Sequence, residues 1–453
     1  MRYVVVIDGE HYPPVVQSAL DDIQDRGHDV VGAVLAGGRE KLPKEGVDAF
    51  GDVAVRTGDD PRRTLQRALD EWSPDCVLDL SDEPVLDYRR RHQMVSVALV
   101  KGIPYEGADF RFTPPPRPRV ATKPSLGIIG TGKRTGKTAI GGFAARALTN
   151  AGHRPVIVSM GRGGPEEPEV MHGDEIELTP ADLLELADSG KHAASDYIED
   201  ALLGRVQTVG CRRCGGGLAG AVEFSNVPEG VRLANGLDGD LLLFEGSGSA
   251  MPPVHSDATG LIMPASIPPE YLLGYMGPYR LLLSDFVVVT MCEEPFGSPS
   301  QISEILSQVR KAFRGTPEGD EIRVVRTIFR PAPTRSVEGK KVFVGTTAPK
   351  EAARLISTHL EEHCGCEVVG ITHALSDRAK LEQEIADVQK EADILLCEIK
   401  AAGIDVATRA ALAHDLDVVY MDNVPVGIDG DDPSDLICWA GELAKSRFTE
   451  AGV

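Results

Sequence analysis

The stretch that decides the fold is SLGIIGTGKRTGKTAIGGFAARAL, Ser125–Leu148. It opens with an apolar run, continues through a turn rich in glycine, lysine and arginine, and closes on small and apolar residues. An apolar run before a glycine-rich turn is typical of a buried strand, and the residues after the turn favour a helix. The stretch therefore predicts a strand, a turn and a helix, in that order.

The turn is a variant of the phosphate-binding pattern G-x-x-x-x-G-K-[ST]. Gly136-Lys137-Thr138 fits the second half, whereas the first glycine is Gly130, one position further out than the pattern requires. Backbone N–H groups in such a turn face a phosphate at the positive end of the helix. We predict that Lys137 neutralises the β- and γ-phosphates of ATP and that the Thr138 hydroxyl binds Mg²⁺.

Two other interpretations of the turn are weaker. A glycine-rich turn without any ligand is one, and a dinucleotide site is the other, but the spacing G-x-G-x-x-G is not met and Lys137 would have no purpose there. The residues predicted to bind the nucleotide are Gly130, Thr131, Gly132, Lys133, Arg134, Thr135, Gly136, Lys137, Thr138 and Ala139.

Two further strand ends carry candidate site residues. The apolar run before Glu245 is followed by glycines that permit close approach of a ligand, so Glu245 is predicted to hold Mg²⁺; a carboxylate that caps a backbone turn is the alternative. Arg162 lies between glycines, where its guanidinium can reach an oxyanion in a bidentate manner. Lys133 and Arg134 add cations that would stabilise charge on a transferred phosphoryl group, although Arg134 fits equally as a solvated cation. With Lys137, these make the predicted catalytic set: Lys137, Lys133, Arg134 and Arg162.

Composition excludes several classes of protein. The net charge of −22 argues against a nucleic-acid partner, because a polyanion would be repelled. No apolar run is long enough to span a membrane, and the N-terminus reads as a strand, so we expect no membrane partner and a cytoplasmic location. The eight cysteines are scattered along 453 residues, unlike a secreted disulfide framework.

The fold class is predicted to be α/β throughout. Apolar, β-branched runs alternate with helical patterns, which indicates parallel sheets covered by helices. We expect an N-terminal Rossmann-like α/β domain, a P-loop NTPase parallel sheet and a C-terminal α/β extension. The predicted bounds are 1–112 for the N-terminal domain, 113–125 for a proline-rich linker, 126–320 for the P-loop domain and 321–453 for a C-terminal segment that continues it. Within the first domain, the run DAFGDVAV is predicted as one of the strands.

The chain resembles the cyclic 2,3-diphosphoglycerate synthetases nearly from end to end. The resemblance rests on GTGKRTGKTA, VSMGRGGPEEPEV, GCRRCGGGLAG, LLLFEGSGSAMPPV and EIKAAGIDVATR. The P-loop part is also similar to dethiobiotin synthetase, whose loop has the same offset and whose later strand ends in E-G-x-G.

The resemblance implies a reaction in which ATP and 2,3-diphosphoglycerate give ADP, phosphate and the cyclic pyrophosphate. It also implies Mg²⁺ and a homodimer. Such a substrate needs many cations, so Arg212 and Arg213, expected on a glycine-rich loop, join Arg162 and Lys400 as predicted substrate-binding residues. Arg409 follows Lys400 as a further candidate.

Other functions remain open from the sequence. A kinase that makes 2,3-diphosphoglycerate from 2-phosphoglycerate would use the same loop, and a MinD-like ATPase switch or a GTP-dependent regulator would share it in part. A guanine-binding N-K-x-D motif is not evident, which favours ATP. Cys211 and Cys214 have the spacing of zinc ligands, but a structural zinc site needs four ligands.

Overall fold

A computed structural model of the chain describes residues 1–43, 46–177, 179–188, 196–313, 322–375, 377–400 and 403–452. The polar segment 314–321, where the sequence predicts a break before the C-terminal segment, lies outside the described residues. No described helix is both long enough and apolar enough to cross a membrane.

The described strands, numbered in chain order, are β1 (Arg2–Ile7), β2 (Asp29–Leu35), β3 (Val55–Arg56), β4 (Cys76–Asp79), β5 (Tyr105–Glu106), β6 (Arg111–Phe112), β7 (Ser125–Gly130), β8 (Pro155–Gly161), β9 (Glu169–His172), β10 (Gln207–Cys214), β11 (Phe224–Ser225), β12 (Leu241–Glu245), β13 (Ala258–Pro264), β14 (Phe286–Thr290), β15 (Arg323–Pro333), β16 (Lys341–Gly345), β17 (Glu367–Thr372), β18 (Ile394–Glu398) and β19 (Asp417–Gly427).

The described α-helices are α1 (Pro13–Asp25), α2 (Pro61–Trp72), α3 (Tyr88–Val100), α4 (Lys137–Asn150), α5 (Pro180–Asp188), α6 (Asp196–Gly204), α7 (Val227–Asn235), α8 (Pro269–Leu273), α9 (Gly277–Leu282), α10 (Pro299–Phe313), α11 (Ala353–Cys364), α12 (Arg378–Val388), α13 (Thr408–Ala413) and α14 (Pro433–Glu450). Short 3₁₀ turns occur at Arg39–Lys41, Gly46–Phe50 and Lys350–Ala352, and a π-helical turn at Gly403–Ala407.

The chain divides into two compact units. The first comprises Met1–Pro116, Ile267–Asp285 and Ser303–Ile322, and it holds a six-stranded sheet of order β3-β2-β1-β4-β5-β6. Its strands pair in parallel except β6, which is antiparallel to β5. The prediction of a strand over DAFGDVAV, residues 48–55, is wrong for all but its last residue, because Gly46–Phe50 is a 3₁₀ turn and only Val55–Arg56 pairs as β3.

The second unit comprises Arg117–Ser266, Phe286–Ile302 and Arg323–Val453. Its described strands form a thirteen-stranded sheet of order β11-β10-β8-β12-β7-β13-β14-β15-β19-β18-β16-β17, with β9 paired to β10. Every residue of β7, β8, β12 and β14 is buried, as parallel strands covered on both faces should be. This is the predicted α/β architecture with its P-loop sheet.

The C-terminal strands belong to that same sheet. Strand β15 pairs in parallel with β14 through its first residues and antiparallel with β19 from Thr327 to Pro333. Strand β19 in turn pairs in parallel with β18. The antiparallel pair therefore joins the P-loop half of the sheet, whose end is β14, to the C-terminal half, β16 to β19.

Helix α4 packs closely on its neighbours because it carries glycines. A Cβ on Gly142 would lie 2.8 Å from Cβ of Leu203 on α6, and one on Gly141 would lie 3.0 Å from Oε1 of Glu245. A larger residue at either position would push the neighbouring group away. These two contacts bring α6 and the end of β12 up to the helix that follows the glycine-rich turn.

Candidate active site

The glycine-rich turn lies between a buried strand and a helix. Strand β7 ends at Gly130 and α4 begins at Lys137, with Gly136 as its N-cap at a φ of 86°. That left-handed conformation favours glycine, and a Cβ there would also meet Cζ of Phe329 at 2.4 Å. The arrangement directs the first turn of α4, including Lys137 and Thr138, toward any phosphate bound at the turn.

Lys137 is held inside the turn. Its Nζ donates hydrogen bonds to the carbonyl oxygens of Gly132 and Gly248, both at 3.0 Å, and only 8% of the residue is exposed. Burial lowers the pKa of Lys137, while the carboxylates of Glu245 and Asp196 work against that shift. An ammonium group has three N–H donors, so one remains for a ligand.

Other residues of the turn are fixed by neighbouring strands. Thr131 donates its backbone N–H to Ile262 at 3.2 Å, and the Thr290 hydroxyl donates to the carbonyl of Thr135 at 2.8 Å. Arg134 is exposed and adopts a positive φ of 58°. Ala139 lies within the first turn of α4. The turn is thus held by β13 and β14, the two strands next to β7 in that direction.

Four basic side chains approach Gly248. A Cβ built there would lie 3.1 Å from Nη2 of Arg162, 3.7 Å from Nη2 of Arg213 and 3.9 Å from Cγ of Lys133. Lys137 reaches the carbonyl of the same glycine. We call Lys133, Lys137, Arg162 and Arg213 the Gly248 cluster. Glycine suits the position because its φ is 62° and because a side chain would enter the space between the guanidinium groups.

Arg212 and Arg213 do not share one role. The prediction that they lie on a glycine-rich loop is wrong, because both belong to β10, where successive side chains point to opposite faces. Arg213 donates from Nη2 to the Ser247 carbonyl at 2.9 Å, within the cluster. Arg212 is 48% exposed, and its Nη2 lies 3.9 Å from Glu166. The structure brings Arg213, and not Arg212, to the other predicted residues.

Carboxylates from α6 gather around the end of β12. Asp200 is fully buried, and neither of its side-chain oxygens has a hydrogen-bond partner among the described residues; the same holds for Oε1 of the buried Glu245. Burial, together with Glu245, raises the pKa of Asp200 well above its usual range. Burial also raises the pKa of Glu245, against the effect of Lys137. Such oxygens are costly to bury without a partner, which fits a cation that binds between them.

Sequence reasoning missed the α6 carboxylates. Asp196, Glu199 and Asp200 have the i, i+3, i+4 spacing of one helix face, and this spacing was the available signal. A Cβ on Gly161 would lie 3.4 Å from Oδ2 of Asp196. Burial raises the pKa of Asp196, while Lys400, Lys137 and Arg162 lower it.

The oxygen atoms near the P-loop suit a Mg²⁺ ion that is held partly by the protein and partly by nucleotide phosphates. Within the described residues, no group of three or more His, Cys, Asp or Glu side chains is arranged to hold a metal by itself. Mg²⁺ usually keeps several waters and binds through one or two protein oxygens plus substrate phosphates. The Thr138 hydroxyl with Glu245 and Asp200 would supply such oxygens.

Lys400 connects the C-terminal half of the sheet with α6. It follows β18 and forms an ion pair with Glu199. Burial works to lower the pKa of Lys400, but Glu199 and Glu398 outweigh it and the pKa is raised. Burial raises the pKa of Glu199 to about 7, against the effect of Lys400. Arg409 lies elsewhere, in ion pairs with Asp405 and Asp188.

The two cysteines of the C-x-x-C sequence diverge. Cys211 is buried, with Sγ 2.2 Å from where a Cβ on Gly230 would stand, and Cys214 is exposed. Burial raises the pKa of the Cys211 thiol to about 12, so it is a poor source of the thiolate that zinc requires. The zinc alternative gains no support from the described residues.

A glycine-rich turn between strand and helix, with a buried lysine on a parallel sheet, defines a P-loop NTPase. Comparison with known proteins then places the chain in one family, the cyclic 2,3-diphosphoglycerate synthetases, to which it belongs. The N-terminal domain of that family matches residues 2–113, its P-loop domain residues 125–325 and its C-terminal domain residues 333–424. The chain is therefore an ATP-dependent enzyme of the ligase or cyclase type.

Relatives with the family name align with this chain over nearly their full length. The chain is 44% identical to cyclic 2,3-diphosphoglycerate synthetase of Methanothermus fervidus over 94% of both chains. It is 47% identical to that of Rubrobacter xylanophilus over 100% of both. Among solved structures, LpxK from Aquifex aeolicus in complex with ATP aligns over 73% of this chain and 90% of that one, at 14% identity and a TM-score of 0.41.

Proposed function

We propose that this chain uses ATP and Mg²⁺ to close 2,3-diphosphoglycerate into cyclic 2,3-diphosphoglycerate, releasing ADP and phosphate. The observation that carries the proposal is the Gly248 cluster, in which three basic side chains lie next to the P-loop lysine. Closing the ring forces two phosphates of one molecule together, so an acceptor of this kind needs many cations. The names of the relatives support the identity of the acceptor.

The reaction proceeds in two displacements. An oxygen of one substrate phosphate attacks the γ-phosphorus of ATP, the bond from that phosphorus to the β–γ bridging oxygen breaks, and ADP leaves with the electron pair. An oxygen of the neighbouring phosphate then attacks the activated substrate phosphorus, and the bond to the transferred phosphoryl group breaks. Inorganic phosphate leaves, and the product holds an intramolecular anhydride.

The protein contributes position and charge, since phosphoryl transfer requires little covalent work from it. Lys137 holds the β- and γ-phosphates from the first turn of α4, while its bonds to Gly132 and Gly248 fix its place. Arg162 and Arg213 orient the acceptor phosphates, and Lys133 neutralises the charge that builds up on the transferred group.

Thr138, Glu245 and Asp200 would hold Mg²⁺. The support is that both side-chain oxygens of Asp200 and Oε1 of Glu245 are buried without a hydrogen-bond partner among the described residues. The ion would offset the negative charge of the nucleotide phosphates.

We also propose an oligomeric state and a cellular location for this chain. The family resemblance implies a homodimer, which light scattering of the purified protein would test. A cytoplasmic location is expected from the composition of the chain, and fractionation of cells would test it.

Product stoichiometry tests the proposal against a kinase. With 2,3-diphosphoglycerate as acceptor, we expect one ADP and one inorganic phosphate per turnover, and no reaction with 2-phosphoglycerate. A kinase would instead release ADP without phosphate and would use 2-phosphoglycerate. Phosphate release that does not depend on any acceptor would point to an ATPase and would overturn the proposal.

A further inference from the structure

Asp196 is the first residue of α6, and it lies beside the end of the strand that leads to Arg162. Strand β8 ends at Gly161, and a Cβ built on that glycine would lie 3.4 Å from Oδ2 of Asp196 and 3.6 Å from its Cγ. Arg162 follows Gly161 directly in the chain. The carboxylate therefore lies against the backbone at the start of the loop from which the Arg162 guanidinium reaches Gly248.

This carboxylate interacts with basic side chains from four separate elements of the fold. Burial raises the pKa of Asp196, and four cations lower it: Lys400 after β18, Lys137 of α4, Arg162 after β8 and Arg213 of β10. Three of the four belong to the Gly248 cluster. Because these elements are far apart in sequence, the four cations come near one carboxylate only in the folded protein.

The cations of the cluster also repel one another. Burial lowers the pKa of Arg213, and Arg162 lowers it further, whereas Asp196 works in the opposite direction. Burial also lowers the pKa of Lys137, with a further decrease from both arginines, and Glu245 and Asp196 oppose that shift. Like charges brought together in a partly buried site raise its free energy unless an anion offsets them. Asp196 provides that offset for both Lys137 and Arg213.

The other carboxylates on this face of α6 have different partners. Glu199 forms an ion pair with Lys400, and Asp200 interacts with Glu245 at the end of β12. Asp196 is one turn closer to the start of the helix, and its interactions include Arg162 and Arg213. The helix thus presents one carboxylate to the Gly248 cluster, one to Lys400 and one to the predicted metal site.

We propose that Asp196 is a positioning residue, whose carboxylate holds the cations of the Gly248 cluster together so that they are in position when the anionic acceptor binds. The inference deepens the proposed function and rests on its use of this cluster for the acceptor. Charges that are already in position need not rearrange during the reaction, and they stabilise charge on the phosphoryl groups more effectively for that reason.

The substitution Asp196→Asn should change anion binding and turnover in opposite directions. It raises the net charge of the cluster by one unit, so we expect inorganic phosphate to bind about three- to tenfold more tightly. It also removes the attraction that keeps the cations in place, so we expect kcat to fall by about tenfold or more. A residue that served only the stability of the fold would not strengthen anion binding.

Two measurements on the full chain follow these effects. Calorimetry with inorganic phosphate, in protein saturated with ADP and Mg²⁺, reports anion binding outside the nucleotide site. ADP release at saturating ATP, with 2,3-diphosphoglycerate varied, gives kcat and the KM for the acceptor. Asp196→Glu keeps the charge, so its phosphate affinity should stay within about twofold of the wild type, and it should recover part of the lost kcat.

Glu166→Gln is the matched control. It also replaces a carboxylate with an amide in the loop that carries Arg162, but the Glu166 side chain is 85% exposed and lies 3.9 Å from Arg212, outside the cluster. Solvent screens such a charge, so both phosphate affinity and kcat should stay within about twofold of the wild type.

Three results would overturn the inference. Phosphate affinity in Asp196→Asn that equals or falls below the wild-type value would remove the role as a counter-charge. Tighter phosphate binding with an unchanged kcat would remove the positioning role. Weaker ADP binding that excess Mg²⁺ restores would make Asp196 a metal ligand instead. These results leave the proposed function standing, whereas ADP release by the wild type that ignores the acceptor would overturn the proposed function and this inference together.

Discussion

Replacing the two neighbouring arginines of β10 one at a time tests the Gly248 cluster most sharply. Arg213→Ala removes a guanidinium whose Nη2 donates to the Ser247 carbonyl at 2.9 Å and lies beside Gly248. Arg212→Ala removes the same side chain one residue away, where it is 48% exposed and 3.9 Å from Glu166. The two variants lose equal charge and volume, so any difference in activity between them reflects the position of the arginine.

The expected magnitudes follow from those environments. A hydrogen bond to a charged group contributes about 1.5–3 kcal/mol, which corresponds to a loss of about 10- to 160-fold in kcat/KM for the acceptor in Arg213→Ala. An exposed ion pair contributes about 0–1 kcal/mol to stability, and Arg212 lies outside the cluster, so Arg212→Ala should stay within about twofold of the wild type.

The assay is ADP release at saturating ATP with the acceptor varied, together with the KM for ATP. We expect the KM for ATP to remain nearly constant in both variants, because both arginines lie on β10, outside the P-loop, and neither lines the cavity of about 670 Å³ that residues 134–139 help to form. Arg213→Lys keeps the charge without the bidentate fork and should fall between the wild type and Arg213→Ala. Equal losses in Arg212→Ala and Arg213→Ala would refute the reasoning from strand alternation.

Three other predictions concern the carboxylates and the P-loop lysine. Lys137→Met should lower kcat by about 10²–10³ with little change in melting temperature, and an unchanged kcat would contradict its role. Asp200→Asn should raise the melting temperature of the metal-free protein and weaken Mn²⁺ binding measured by electron paramagnetic resonance; binding equal to the wild type would remove Asp200 from the metal site. The pKa of Glu199 is raised to about 7 from 4.5, so folded protein holds that proton more tightly than unfolded protein does. Its contribution to stability is therefore complete below about pH 4.5 and is lost as the pH rises to about 7. Between pH 5 and pH 8, the urea midpoint should fall less in Glu199→Gln than in the wild type. An equal or larger fall of the midpoint in the variant would contradict this.

The local pattern around the P-loop was sufficient to predict its structure. The buried run before Gly130 and the helix after Gly136 appear in the structure where the sequence places them, because strand, turn and helix are specified by adjacent residues. Glu245 ends its strand as expected for the same reason.

Positions that depend on distant segments could not be predicted. The sequence did not predict strands β10 and β13. In β10, glycine and arginine interrupt the apolar alternation that marks a strand, so the opposite orientations of Arg212 and Arg213 were not predicted either. The approach of Asp200 to Glu245 requires α6 to pack on α4, which depends on the space left by Gly142. The approach of Phe329 to Gly136 needs the antiparallel pairing of β15 with β19, which no local pattern of either strand specifies.

The central claim is ring closure, and ³¹P nuclear magnetic resonance of the purified protein with ATP, Mg²⁺ and 2,3-diphosphoglycerate tests it directly. We expect a new anhydride signal that grows together with one equivalent each of ADP and inorganic phosphate. ADP formed without that signal would exclude ring closure and would leave a P-loop enzyme with a different acceptor.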